Sequence, residues 1–215
     1  MKTGYIDITF IVDKSGSMSG VRTDTIGMVD NYIQEQKKKT GDTKFTLINF
    51  DENCEFVYKG IDVKDISKFT EDNYAIGGMT ALNDAIGKSI NEAGARFAAL
   101  DESERPEKVL FVILTDGHEN SSKEFTRKDQ INEMINHQKT VYSWEFLFLG
   151  ADQDAIAAGA SLGIDFGKSM TYTKSHRGME GLTRSLNRVT DTYRSTDISA
   201  NVSFNSEERK EQENA

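Results

Sequence analysis

Apolar positions recur along this chain in two rhythms. Ile6, Ile8, Phe10 and Val12 alternate with Asp7, Thr9 and Ile11, and apolar side chains fall on both faces, as in a strand covered from both sides. From 21 to 39 the rhythm changes. Val21, Ile26, Val29, Tyr32 and Ile33 keep a period near 3.6, which predicts a helix, and Lys37, Lys38, Lys39 and then Gly41 suit its C-terminal end. Residues 43–50 and 54–59 read as two strands joined by the turn Asp51-Glu52-Asn53, an expected hairpin. The short polar stretch 62–69 allows a single helical turn.

Gly77 and Gly78 permit a tight loop before a strong helix that carries Leu82, Ile86, Ile90, Ala93, Phe97 and Leu100 on one stripe. A charged loop, 101–107, holds the chain's one proline, Pro106. Residues 109–114 form a continuous apolar run, the mark of a central parallel strand, and it stops at Thr115-Asp116-Gly117. Thr126 to Asp129 fits a capping box that opens a helix reaching about Gln138. Residues 142–149 predict another strand. Asp152, Gln153 and Asp154 then open an alanine-rich helix, where carboxylates favour the N-terminal dipole. A weaker strand is expected at 169–173. The last helix, 178–194, places Met179, Leu182, Leu186, Val189 and Tyr193 at spacings of three and four. Beyond Ser195 the chain turns polar, and 207–215 reads as a disordered tail. The expected organisation is one domain, 1–196, followed by a polar tail, 197–215.

Strands alternating with helices predict an α/β fold: a doubly wound, mainly parallel, Rossmann-like sheet flanked by helices, with one antiparallel edge strand. In such sheets ligands sit outside the carboxyl ends of the strands, where the winding reverses. The usual order 3-2-1-4-5 makes the first and fourth strands neighbours at that crevice. Asp13 ends one and Asp116 ends the other, so two carboxylates distant in sequence are expected to meet.

Composition narrows the function. The 215 residues are 37% hydrophobic and 28% charged, and the formal net charge of −9 argues against a basic face for duplex nucleic acid. One cysteine, Cys54, cannot form an internal disulfide and has no activating neighbour in sequence. Met1-Lys2-Thr3-Gly4 runs straight into the first strand with no cleavage site after it, so no signal peptide is expected. No run approaches the roughly 18 apolar residues of a membrane span. A soluble, cytoplasmic monomer is the expectation.

The turn after the first strand offers a carboxylate, Asp13, and the hydroxyls of Ser15, Ser17 and Ser19. Such oxygens suit a hard divalent cation. Each residue also has an ordinary structural explanation: Asp13 as a helix cap, Ser15 and Ser17 as turn residues, Thr80 as an N-cap, Asp116 as a turn before Gly117. His118 and Glu119 read as rim residues rather than an acid/base pair. His137 and His176 lie at helix ends without metal-ligand spacing.

Together, Asp13-Lys14-Ser15-Gly16-Ser17, Thr80 after Gly77-Gly78-Met79, and Thr115-Asp116-Gly117 resemble the three motifs of a von Willebrand factor type A domain. The likeness covers about residues 5–194. Residues 115–121 with Leu149-Gly150-Ala151 resemble compact bacterial and phage members more than animal adhesion receptors. The resemblance implies a metal-ion-dependent adhesion site with Asp13, Ser15, Ser17, Thr80 and Asp116 as ligands. It implies no catalytic role. Two carboxylates neutralise a divalent ion and hydroxyls add no charge, so the ion stays electrophilic toward a carboxylate of another molecule. Magnesium fits this set, with manganese as a close substitute, whereas calcium wants more ligands. The function expected is capture of a protein partner's Asp or Glu, with a contact rim at Met18, Ser19, Met79, His118, Glu119 and Asn120. The resemblance also implies a switch in which the helix at 178–194 slides on its apolar stripe.

Two alternatives compete. A magnesium-dependent phosphoryl-transfer enzyme would use Asp13 as nucleophile and an aspartate two residues on as acid, but Ser15 stands there, and no phosphate-binding Gly-x-x-x-x-Gly-Lys-Ser/Thr loop occurs. The other alternative is an assembly component of a larger particle.

Overall fold

The computed structural model describes residues 1–127, 129–151, 155–196 and 202–215. Six strands form one sheet: β1 (Lys2–Asp13), β2 (Asp42–Phe50), β3 (Cys54–Asp62), β4 (Pro106–Thr115), β5 (Glu145–Ala151) and β6 (Ser169–Tyr172). Their order is β3-β2-β1-β4-β5-β6. Only the β2–β3 hairpin is antiparallel, and the other pairings are parallel. The expected topology, including its antiparallel edge, is what the chain adopts. Parallel pairing requires crossovers, and helices supply them: α1 (Arg22–Lys37), α2 (Leu82–Ala98), α3 (Gln130–Tyr142) and α4 (Ala155–Ser161), while α5 (His176–Ser195) follows the last strand and packs back on the sheet.

Both faces of the sheet are covered, as the near-continuous apolar strands require. On one face Ile6, Ile8, Phe10 and Val12 pack with Met28, Val29, Tyr32 and Ile33 of α1 and with Met179, Leu182, Leu186 and Val189 of α5. On the other, Ile11, Phe111, Phe146 and Phe148 meet the Leu82, Ile86, Ile90 and Phe97 stripe of α2 and Ile131 and Ile135 of α3. The predicted helix stripes are the buried ones, except that Ile26 is half-buried and Leu100 lies half-buried beyond the end of α2. Away from the strand ends, Asp7 on β1 is fully buried and accepts from both terminal nitrogens of Arg96 on α2, at 2.5 and 3.0 Å. A buried carboxylate is tolerable only with such a partner.

Three local expectations are corrected. The strand expected from 142 begins instead at Glu145, because α3 continues through Tyr142 and ends at Ser143, whose φ of 57° is left-handed. The Thr126–Asp129 capping box does not form: Asp129 occupies the N-cap position but makes no side-chain cap bond. The third correction concerns the tail. Residues 206–213 form a helix, α6 (Ser206–Glu213), capped by Asn205, whose side chain accepts from the N–H groups of Glu207 and Glu208. Val202 and Phe204 just before it are buried in the α1/α5 side of the core. Asp152, Gln153 and Asp154, expected to open α4, lie outside the described residues.

Phe204 therefore tests whether the C-terminal stretch is part of the fold. Phe204→Ala should lower unfolding free energy in urea by about 3 kcal/mol, the usual cost of emptying a buried aromatic site. A loose tail would give no change.

Candidate metal centre

Parallel registration of β1 with β4 pairs Val12 with Leu114, so the loops leaving both strands start side by side. Asp13 and Asp116 consequently lie at one edge, and neither carboxylate is exposed. Asp13 Oδ1 accepts the N–H of Ser15 at 2.7 Å, and its Oδ2 accepts the hydroxyl of Thr115 at 2.6 Å. Ser15 Oγ is 3.1 Å from Ser17 Oγ, and Ser17 Oγ donates to Asp116 Oδ1 at 2.5 Å. Four of the five residues expected as ligands are thus linked by direct contacts.

Thr80 joins from a third loop. Gly16 N–H donates to the Gly78 carbonyl (3.2 Å) and Gly77 N–H to the Lys14 carbonyl (2.9 Å), which stitches this loop to the first. Asn120 stitches it to the loop after β4: its N–H donates to the Thr80 carbonyl at 3.0 Å, and its side-chain oxygen accepts the Thr80 N–H at 2.9 Å. Two glycines are required here. Gly78 has φ +74°, in the left-handed region, and a Cβ on Gly117 would stand 2.9 Å from Thr80 Oγ1. The Thr80 hydroxyl therefore faces the residue next to Asp116.

Burial raises the pKa of Asp13, the Ser15 and Thr115 hydrogen bonds oppose this, and the negative charge of Asp116 raises it further. Two buried carboxylates close enough to feel each other, among neutral hydroxyls, favour a cation between them. Among the described residues, no group of three or more His, Cys, Asp or Glu side chains is gathered for a metal ion. A metal here would rely on two carboxylates plus hydroxyl oxygens, the donor set of a small, hard ion.

The expected rim is only partly a rim. Ser19, Met79 and His118 are exposed, Met79 by half. Met18 is not: the short 3₁₀ turn Gly16–Val21 tucks it inside, against the Tyr172 hydroxyl. Glu119 is committed to the scaffold, since its carboxylate accepts from Asn83 N–H, Ser121 N–H, Ser122 N–H and Ser122 Oγ. Asn120 is exposed as a rim residue would be, and it also holds Thr80, as described.

Several supporting residues escaped the sequence reading. Tyr74, fully buried, donates its hydroxyl to the Asp13 carbonyl. Asp84, in the first turn of α2, accepts the N–H groups of Lys123, Glu124 and Phe125 at 2.9–3.0 Å. Lys174, in the β6–α5 connection, places Nζ 3.1 Å from Asp116 Oδ2. None has a local sequence signal, because each partner is remote in the chain. Burial pushes the Cys54 thiol up to about 12, which favours the protonated form.

The sequence matches the family model of the von Willebrand factor type A domain over residues 7–159. The chain belongs to that family. Solved structures with the same fold include proximal thread matrix protein 1 from the mussel byssus, 16% identical with a TM-score of 0.59 over 87% of this chain and 46% of that one. They also include a von Willebrand factor type A protein from Catenulispora acidiphila, 14% identical with a TM-score of 0.58 over 86% of this chain and 42% of that one. The chain spans less than half the length of both. The vWF domain of the type V pili tip protein Mfa5 from Porphyromonas gingivalis is 11% identical, with a TM-score of 0.60 over 87% of this chain and 97% of that domain. No curated protein matches at a significant level. Like these domains, the type A domain described here is a sheet between helix layers. None of its described helices is long and apolar enough to cross a membrane.

Asp84 gives this site a pH signature. Burial alone would raise its pKa, but the three backbone N–H donors outweigh that and hold it below the ordinary value. Its folded pKa is depressed, so its contribution to stability is complete above the unfolded value near 4 and fades as pH falls through the folded one. Asp84→Asn should cost about 1–3 kcal/mol at neutral pH, the scale of unmet buried hydrogen bonds. The loss should shrink in acid when urea midpoints are compared across pH.

Proposed function

We propose that this domain is a non-catalytic binding module that holds a divalent ion at the top of its sheet and captures a partner protein through an Asp or Glu side chain. One observation carries the reading: three separate loops bring two buried carboxylates and the hydroxyl residues Ser15, Ser17 and Thr80 to one edge, beside exposed Ser19, Met79 and His118. Asp13, Ser15, Ser17, Thr80 and Asp116 would hold the ion. When bound, it would supply a Lewis-acidic position for a carboxylate oxygen.

The protein's own residues do the rest. Thr115 and the Ser15 N–H orient Asp13, so its two oxygens are fixed before any ligand arrives. Asn120 and Glu119 fasten the loops carrying Thr80 and Asp116, which removes ordering cost from binding. Exposed Met79, unbranched and flexible, offers an adaptable apolar contact.

Magnesium is the ion proposed, with manganese as substitute. Among the structural relatives, the mussel thread protein is known with a zinc-occupied MIDAS motif and the Plasmodium vivax TRAP protein in a manganese-loaded form, which supports a divalent ion. No catalysis is proposed, since Ser15 occupies the place where a phosphoryl-transfer enzyme would carry its acid.

Asp116→Ala and excess chelator should each abolish retention of the partner by immobilised protein, with the far-UV circular dichroism unchanged. Undiminished retention in chelator would refute the metal bridge. Turnover of a generic phosphate ester with magnesium, lost in Asp13→Asn, would instead establish the enzyme.

A further inference from the structure

We infer that Lys174 is a built-in cation that competes with a divalent ion for Asp116, and that the C-terminal helix holds it in place. This rests on the metal-site reading above. Lys174 lies far from the site motifs in sequence, yet its ammonium is turned inward. Nζ stands 3.1 Å from Asp116 Oδ2, the Asp116 side chain is fully buried, and the lysine side chain is 29% exposed. The other oxygen of Asp116 accepts from Ser17. Both oxygens of this carboxylate are therefore satisfied by the chain itself.

An ion bound to either oxygen of Asp116 would lie within a few ångströms of Nζ. Repulsion falls only as the inverse of distance, and salt screens a buried pair poorly. The ammonium must therefore withdraw, or the ion binds more weakly. Lys174 thus sets how readily the site loads.

Withdrawal is resisted because the residues on both sides of Lys174 are clamped. Thr173 N–H donates to Gln212 Oε1 at 3.1 Å, and Thr173 Oγ1 donates to the Gln212 carbonyl at 2.6 Å. Gln212 is itself buried, and its Nε2 donates to the Gly178 carbonyl at 3.0 Å. Ser175 Oγ accepts the Gly178 N–H at 2.9 Å, capping α5 immediately after the lysine. Gln212 belongs to α6, which is anchored by Arg188 Nε to Glu208 at 2.5 Å. Gln212 acts through Thr173 and Lys174, as a positioning residue for the metal site.

Titration of the full chain with Mn²⁺ alone, following unbound Mn²⁺ by electron paramagnetic resonance, tests this directly. Lys174→Met and Lys174→Gln should each tighten Mn²⁺ binding about tenfold, equivalent to about 1.4 kcal/mol. Lys174→Arg, which keeps the charge, should stay near wild type. Gln212→Ala should tighten binding by a smaller factor and add nothing in the Lys174→Met background, as a double-mutant cycle requires when one residue acts through the other. Thermal melts establish that each titrated variant is folded, and Lys174→Gln carries the test if Lys174→Met is not. Unchanged or weaker Mn²⁺ binding in the neutral variants overturns the inference, as does equal tightening in Lys174→Arg. If wild type and all variants fail to bind Mn²⁺, the metal site itself falls, and this inference with it.

Discussion

Two like charges buried side by side constrain this molecule more than any other feature. Asp13 and Asp116 follow the ends of adjacent parallel strands, so the pairing of β1 with β4 forces them together. Carboxylates out of water are costly unless every oxygen is met. The chain meets them with three neutral donors and one charged one: a backbone N–H and the Thr115 hydroxyl on Asp13, the Ser17 hydroxyl and the Lys174 ammonium on Asp116. The neutral donors cancel no charge and the ammonium offsets one of the two carboxylates, so a net negative field remains that suits the place to a cation.

The loops must also hold still, because hydroxyl oxygens bind a hard ion only when several converge. Rigidity here comes from hydrogen bonds between loops, backbone to backbone as well as backbone to side chain. Asp84 and Glu119 do this by exchanging carboxylates across the α2 N-terminus and the loop after β4: Asp84 grips residues 123–125, and Glu119 grips Asn83. Such cross-bracing spends acidic residues on architecture, which explains why an acidic loop is not simply a rim of free charges.

How much of this was legible in the sequence follows from how local each signal is. The apolar run 109–114 and the stripe on α2 announce themselves, and the strand order then places Asp13 beside Asp116. Met18 misleads because an apolar residue inside a polar loop reads as exposed until the 3₁₀ turn is seen to fold it under Tyr172. The sequence of α6, Ser-Glu-Glu-Arg-Lys-Glu-Gln-Glu, has no apolar stripe. Its attachment comes from Val202 and Phe204 ahead of it and from the amide of Gln212, so periodicity could not reveal it. Lys174 is one charge among many, and its meaning depends on a carboxylate that only the topology brings near.

The family match stops at residue 159, but the hydrophobic layer it belongs to does not. Leu182, Leu186 and Val189 of α5, with Val202 and Phe204, seal the same face that Ile8 and Phe10 open. A chain trimmed to the matched segment would also lose β6, uncovering the far edge of β5. That edge, beside a greasy unsealed face, would recruit strands from other copies, so the trimmed piece should precipitate rather than behave as a smaller version of the whole.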